Sequence, residues 1–144
     1  MLIPLIDQMH WANGLMIEGL HSQTEAAPEV LRLAAHILTT EALWLSRLRG
    51  EDYVRNAFLE VPLQDMSAKN DAHQAAYRDI AAGDIHRRVD YQMINGTPMN
   101  SKVQDMVLHA ITHGFHHRGQ ISAMATQAGW KFPDTSFIGY SRGK

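Results

Sequence analysis

The sequence contains no cysteine. This excludes disulfides, thiolate metal sites and any mechanism that uses a protein thiol as nucleophile. Any metal site must then be built from nitrogen and oxygen. There is no block of Lys or Arg, and 13 basic residues stand against 15 acidic ones for a net charge of −2, so the electrostatic footprint of a nucleic-acid-binding protein is missing. No apolar run approaches the roughly 18 residues of a transmembrane helix. The start, MLIPLIDQMH, has no basic region, long apolar segment or small-residue cleavage site of a secretory signal. Neither nucleic acid nor a bilayer is the expected partner, and the cytoplasm is the expected location.

The 144 residues, 45% of them hydrophobic and 19% charged, are expected to form one soluble domain, residues 1–144. A chain of this length buries roughly 70% of the surface its unfolded form exposes, enough for a core without staples. The residue type in excess is histidine: there are nine, four of them between His109 and His117.

Periodicity predicts a first helix over about residues 4–21, with Pro4 in its first turn and Leu5, Met9, Ala12, Met16 and Leu20 three or four apart. A second helix, about 28–49, starts at Pro28 and stops before Gly50. Residues 51–64 carry no sustained period. A third helix, about 67–82, ends at Gly83. Residues 85–94 alternate and run into Asn95-Gly96, the pattern of a short β-hairpin. A fourth long helix begins at Asn100 or Ser101, with Ser101 and Gln104 at capping-box spacing, and continues to Gln127; the tail beyond Trp130 reads as irregular. The expected fold is all-α, an antiparallel four-helix bundle with a small β-hairpin inserted before the last long helix.

The fourth helix contains His109-Ala-Ile-Thr-His113-Gly-Phe-His116-His117-Arg-Gly-Gln120. At about 100° per residue, with His113 at zero, His117 falls at about +40°, Met106 and Met124 at about +20° and Ala110 at about +60°. His113 and His117 therefore share the inward stripe, while His109 and His116 lie towards its edge. Two imidazoles at i and i+4 can point at one ion. A hydrogen-bonded pair of core histidines is the simpler reading. However, methionine and alanine on the same face cannot satisfy two rings, and each ring buried without partners costs roughly 1–3 kcal/mol. A metal ion, or carboxylates from other helices, would remove that cost.

A site needs at least one more ligand from another helix. The candidates are His10, His21, His36, His73 and His86; His21 and His86 fall at an element end or in the hairpin. His10 and His36 lie inside the first two helices, but His36 is off the densest apolar stripe of its own, so periodicity does not choose between them. Glu41, Asp105 and backbone carbonyls are candidate acceptors for the outer ring nitrogens, although Glu41 has no need to face His36 and reads as solvated or structural. By angle Gln120 lies beside His113 and is the candidate contact for bound water or substrate. Arg118 points away as a structural or interface residue. Trp11, Trp44 and Trp130 read as core or interface residues.

The run from His36 through Glu41, Trp44 and Gly50, followed downstream by His113-Gly-Phe-His-His117-Arg-Gly-Gln-Ile121, resembles the DinB/YfiT-like superfamily of metal-binding four-helix bundles. Trp11-Ala12-Asn13 and the late Gly129 and Pro133 fit the same pattern, so the resemblance covers nearly the whole chain. It implies a divalent metal held by His36, His113 and His117, with zinc or nickel expected first and iron or copper as further options. It also implies a homodimer. The superfamily includes enzymes that transfer low-molecular-weight thiols, so the favoured function is a metal-dependent transferase in which the metal activates a thiol or water. A hydrolase using metal-bound hydroxide and a non-catalytic metal-binding or stress-response protein are the alternatives. Three neutral imidazoles leave an open metal position, as in catalytic zinc sites. With no cysteine in the chain, a reacting thiol has to come from a small-molecule cosubstrate.

Overall fold

A computed structural model describes residues 1–143. Four long helices dominate it: α1 (Leu2–His21), α2 (Pro28–Arg49), α3 (Leu63–Ala81) and α4 (Val103–Gln127). Strands β1 (Arg88–Gln92) and β2 (Pro98–Lys102) form the antiparallel hairpin before α4, and a short α5 (Phe137–Ser141) lies in the tail. Around the bundle α1 packs mainly on α3, α3 on α2, α2 on α4 and α4 back on α1, which places the consecutive helices α1 and α2 diagonally. Among the described residues, no helix is long and apolar enough to cross a membrane.

The element ends follow local chemistry. Pro28 opens α2, where its missing N–H is not needed, and Gly50, at φ +67°, closes it in the left-handed conformation, with Glu51 N–H donating to Ser46 O at 2.9 Å. The third helix begins at Leu63, four residues before the expected start, directly after Pro62. The fourth begins later than expected, because Asn100 and Ser101 are drawn into β2 opposite Asp90 and Val89. The Ser101–Gln104 capping box is therefore not formed. Instead the N–H groups of Val103 and Gln104 donate to the carbonyls of Arg87 and Ile85 at 3.0 Å each, satisfying donors that every helix start leaves open. Within β1 the alternation holds, with Val89 buried between the exposed Arg88 and Asp90.

The apolar core divides into two clusters. One gathers Leu2, Ile6, Met9, Trp44, Leu48, Tyr77, Met106 and Ile111; the other gathers Met16, Leu20, Leu33, Ile37, Leu38, Met66 and Ile121. In every long helix a buried polar residue lies between the two clusters: Asn13 in α1, Glu41 in α2, Asn70 in α3 and Arg118 in α4, with exposures of 0%, 1%, 3% and 1%. Asn13 joins them. Its Nδ2 donates to Glu41 Oε2 at 2.8 Å and to Asn70 Oδ1 at 3.2 Å, and its Oδ1 accepts from Arg118 Nη1 at 2.7 Å. Asn70 Nδ2 donates to His10 O at 2.9 Å, and Tyr77 O–H donates to Glu41 O at 2.8 Å. Burial, partly offset by Glu41, lowers the Arg118 guanidinium to about 10, so it remains charged at neutral pH. A Cβ at Gly114 would lie 2.8 Å from Arg118 Nη1, which explains the glycine one turn before it.

Removing one member of such a layer strands charged groups in the core, which costs about 3–5 kcal/mol for a buried ion pair. Asn13→Ala is therefore expected to destabilise the protein by roughly 3 kcal/mol or more, read as a lower urea midpoint. A midpoint equal to wild type would show that the layer does not hold the helices together.

Candidate metal centre

His36 on α2 and His113 and His117 on α4 converge, each offering one ring nitrogen, with these atoms all within 4.8 Å of one another. Ring centroids are 4.8 Å apart for His36 and His113, 4.6 Å for His36 and His117, and 4.4 Å for His113 and His117. The i,i+4 spacing on α4 supplies two rings on one side. The packing of α2 on α4 supplies the third from across the bundle.

Two of the rings are oriented by hydrogen bonds on their far nitrogens. His36 Nδ1–H donates to Ala57 O at 2.6 Å, and His117 Nδ1–H donates to Gln120 Oε1 at 2.7 Å. A neutral imidazole carries one proton, so both rings present Nε2 as a bare lone pair. His117 Nε2 lies 3.1 Å from His113 Nε2. Two nitrogens at that distance must share a proton or a metal ion. This donor set fits a divalent cation: neutral imidazoles with fixed tautomers are its usual nitrogen ligands.

The electrostatics agree with neutral rings. Burial, followed by the neighbouring rings of His117, His36, His109 and His116, pushes His113 down to about 3. Burial also lowers His36; the hydrogen bond to Ala57 opposes this, and His117 and Arg32 add to it. Both rings are therefore neutral near neutral pH, each with a single ring proton.

The segment between α2 and α3 completes the surroundings of His36. Phe58 stacks face to face on its ring, with centroids 4.0 Å apart and planes 3° apart, and the Arg32 guanidinium lies over the Phe58 ring at 4.7 Å. Residues 33–41 of α2 are all buried, so this helix has no solvent face beside the site. That explains why the apolar stripe under-represents His36: the loop covers a flank that the wheel leaves open.

The other candidates are placed elsewhere. His10 pairs with Asp71 at 2.7 Å, and His73 Nδ1–H donates to Glu41 Oε1 at 3.0 Å. His21 and His86 are exposed. His109 packs edge-on against Trp44 at 5.0 Å and lies 6.0 Å from His113, while His116 is exposed beside His117. Of the acceptors considered, a backbone carbonyl serves His36, and Gln120 serves His117. Glu41 belongs to the polar layer, and Asp105 sits in the first turn of α4. Trp44 is buried; Trp11 packs on Tyr140 and Trp130 on Phe132. Sequence reasoning missed Ala57 and Phe58, which lie where no periodicity guides the eye. It also missed Asn13 as a hub, although an asparagine four residues after Met9 and three before Met16, both on the apolar stripe, is a legible sign of a buried polar group.

Compared with known families, the chain matches the profile described as the DinB family over residues 8–144. No curated protein matches it.

The lowered histidines make a prediction for the metal-free chain. Unfolded, each ring titrates near 6.5, whereas the folded rings bind protons only at lower pH. Below pH 6.5 the unfolded state therefore takes up more protons, and stability falls as pH falls, for His113 down to about pH 3. The urea midpoint of chelator-treated protein is expected to drop between pH 7.5 and pH 5, and His113→Gln to flatten that slope. An unchanged slope in the variant would assign the pH dependence to other groups.

Proposed function

Since this chain belongs to the DinB family, we propose that His36, His113 and His117 hold a divalent metal ion and that the protein is a metal-dependent transferase acting on a low-molecular-weight thiol. The observation that carries the reading is the convergence of three neutral imidazoles, two of them with tautomers fixed so that Nε2 is bare. A divalent ion held by these three rings would lower the pKa of a thiol or water bound to it. The nitrogen donor set accepts zinc, nickel, iron or copper, of which zinc or nickel is our first choice.

The chain's own residues have separate tasks. Ala57 O and Gln120 Oε1 hold the rings of His36 and His117 in the ligating orientation. Phe58 excludes water from one face of His36. The low basicity of His113 keeps its ring available without competition from protons at neutral pH. Because the sequence has no cysteine, the reacting thiol belongs to a cosubstrate. We also infer that the protein works as a cytoplasmic homodimer, an inference supported by family membership; light scattering that gives a single 16.2 kDa species at working concentration would contradict the dimer.

The test is elemental analysis of protein purified without tag or chelator, beside a His36→Ala, His113→Ala, His117→Ala variant. About one divalent ion per chain is expected in the wild type and none in the variant, and Gln120→Ala should weaken affinity about 10 to 100-fold. Turnover that requires an added low-molecular-weight thiol supports the transferase. Ester hydrolysis without thiol would replace it with a hydrolase. Metal that stabilises the fold with no turnover of either kind would leave a binding protein.

A further inference from the structure

A second group of chemistry-bearing residues lies outside the three-histidine cluster, where the 50–62 segment crosses α2 and α3. A cleft of about 230 Å³ opens there, walled by the apolar side chains of Leu38, Leu43, Leu59 and Val61 and including Lys69 and His73 in its lining. We propose that this cleft is a binding site for a small neutral molecule of the phenol class, with an apolar ring against the leucines and valine and a hydroxyl donating to His73 Nε2.

The argument begins with the proton on His73. Its Nδ1 lies 3.0 Å from Oε1 of Glu41, which is almost wholly buried and whose Oε2 already accepts from Asn13. A carboxylate oxygen accepts, so Nδ1 carries a proton, and in the neutral ring Nε2 is left as an acceptor. The carboxylate also locks the ring orientation and strengthens that acceptor, the arrangement by which buried carboxylates prepare histidines for binding and proton transfer. No other hydrogen bond occupies the His73 ring among the described residues. The ring is thus a pre-oriented acceptor at the wall of an apolar cleft, and small-molecule sites are commonly built as apolar clefts with a few fixed polar groups.

The ligand class follows from what the acceptor and the walls admit. A bare imidazole nitrogen requires a donor, which the hydroxyl of a phenol supplies without adding charge. In the lining the charges of Lys69 and Glu60 offset one another, and Glu41 stands behind His73, so the balance favours a neutral ligand over a carboxylate. The volume suits a single substituted ring, and the leucine and valine walls favour an aromatic or branched apolar body.

The experiment is a titration of the full chain with p-cresol, followed by backbone amide shifts and by the ring-nitrogen resonances of the histidines. Saturable shifts are expected at residues of α2, α3 and the 50–62 segment, together with movement of the His73 Nε2 resonance. Toluene, which differs from p-cresol in lacking the hydroxyl, should bind at least about tenfold more weakly. His73→Phe should lose the difference between the two probes. Because that variant leaves Glu41 short of a partner, Val61→Trp serves beside it: this fills the cleft without touching the pair and should abolish saturable binding of p-cresol. Absence of saturable shifts with p-cresol, equal binding of toluene, or unchanged binding in Val61→Trp would each overturn the proposal.

Discussion

The arrangement depends on one buried hydrogen-bonded layer, in which the carboxamide of Asn13 bridges the carboxylate of Glu41 and the guanidinium of Arg118 across the bundle, with Asn70 closing the fourth side. Apolar packing alone tolerates small slides of one helix along another, since one leucine substitutes for the next with little change in buried area. Directional bonds between charged and amide groups do not. With one such residue contributed by every long helix, a shift of any helix along its axis would break a buried hydrogen bond of the layer, and a shift of α1, α2 or α4 would separate a buried charge from Asn13.

That constraint reaches the histidines directly. Glu41 lies little more than one turn after His36 on α2, and Arg118 is next to His117 on α4. The bonds that fix Glu41 and Arg118 at the same level also fix His36 opposite His113 and His117. The layer includes α2 and α4, the two helices that carry the three rings, but uses other side chains of theirs, so the cluster inherits its register without spending any of its own nitrogens on it. The remaining freedom, rotation of the rings, is removed by Ala57 and Gln120.

What the sequence revealed and what it hid follow from this division of labour. The helices were legible because their apolar residues recur every three or four positions, and the pair His113 and His117 because i,i+4 spacing is a property of one element. The family resemblance, rather than periodicity, selected His36, since its burial comes from a segment that joins it only in the folded chain. The boundary of α4 was misplaced because Asn100 and Ser101 have the chemistry of helix caps, yet pairing with β1 takes them into a strand. Arg118 points away from the three-histidine cluster, as its helical angle implies, and its guanidinium bonds Asn13 instead. Its partner, however, lies on a helix more than 100 residues earlier, and no local pattern announces a contact of that range.

The group that orients His36 is the main-chain oxygen of residue 57, in a stretch of chain with no helix or strand of its own. Every amino acid carries that oxygen. Exchange of the Ala57 side chain leaves the acceptor chemically unchanged, whereas gain or loss of a single residue between Gly50 and Pro62 would carry a different carbonyl past the ring. The site therefore constrains the length and path of this loop more tightly than the identity of its residue 57.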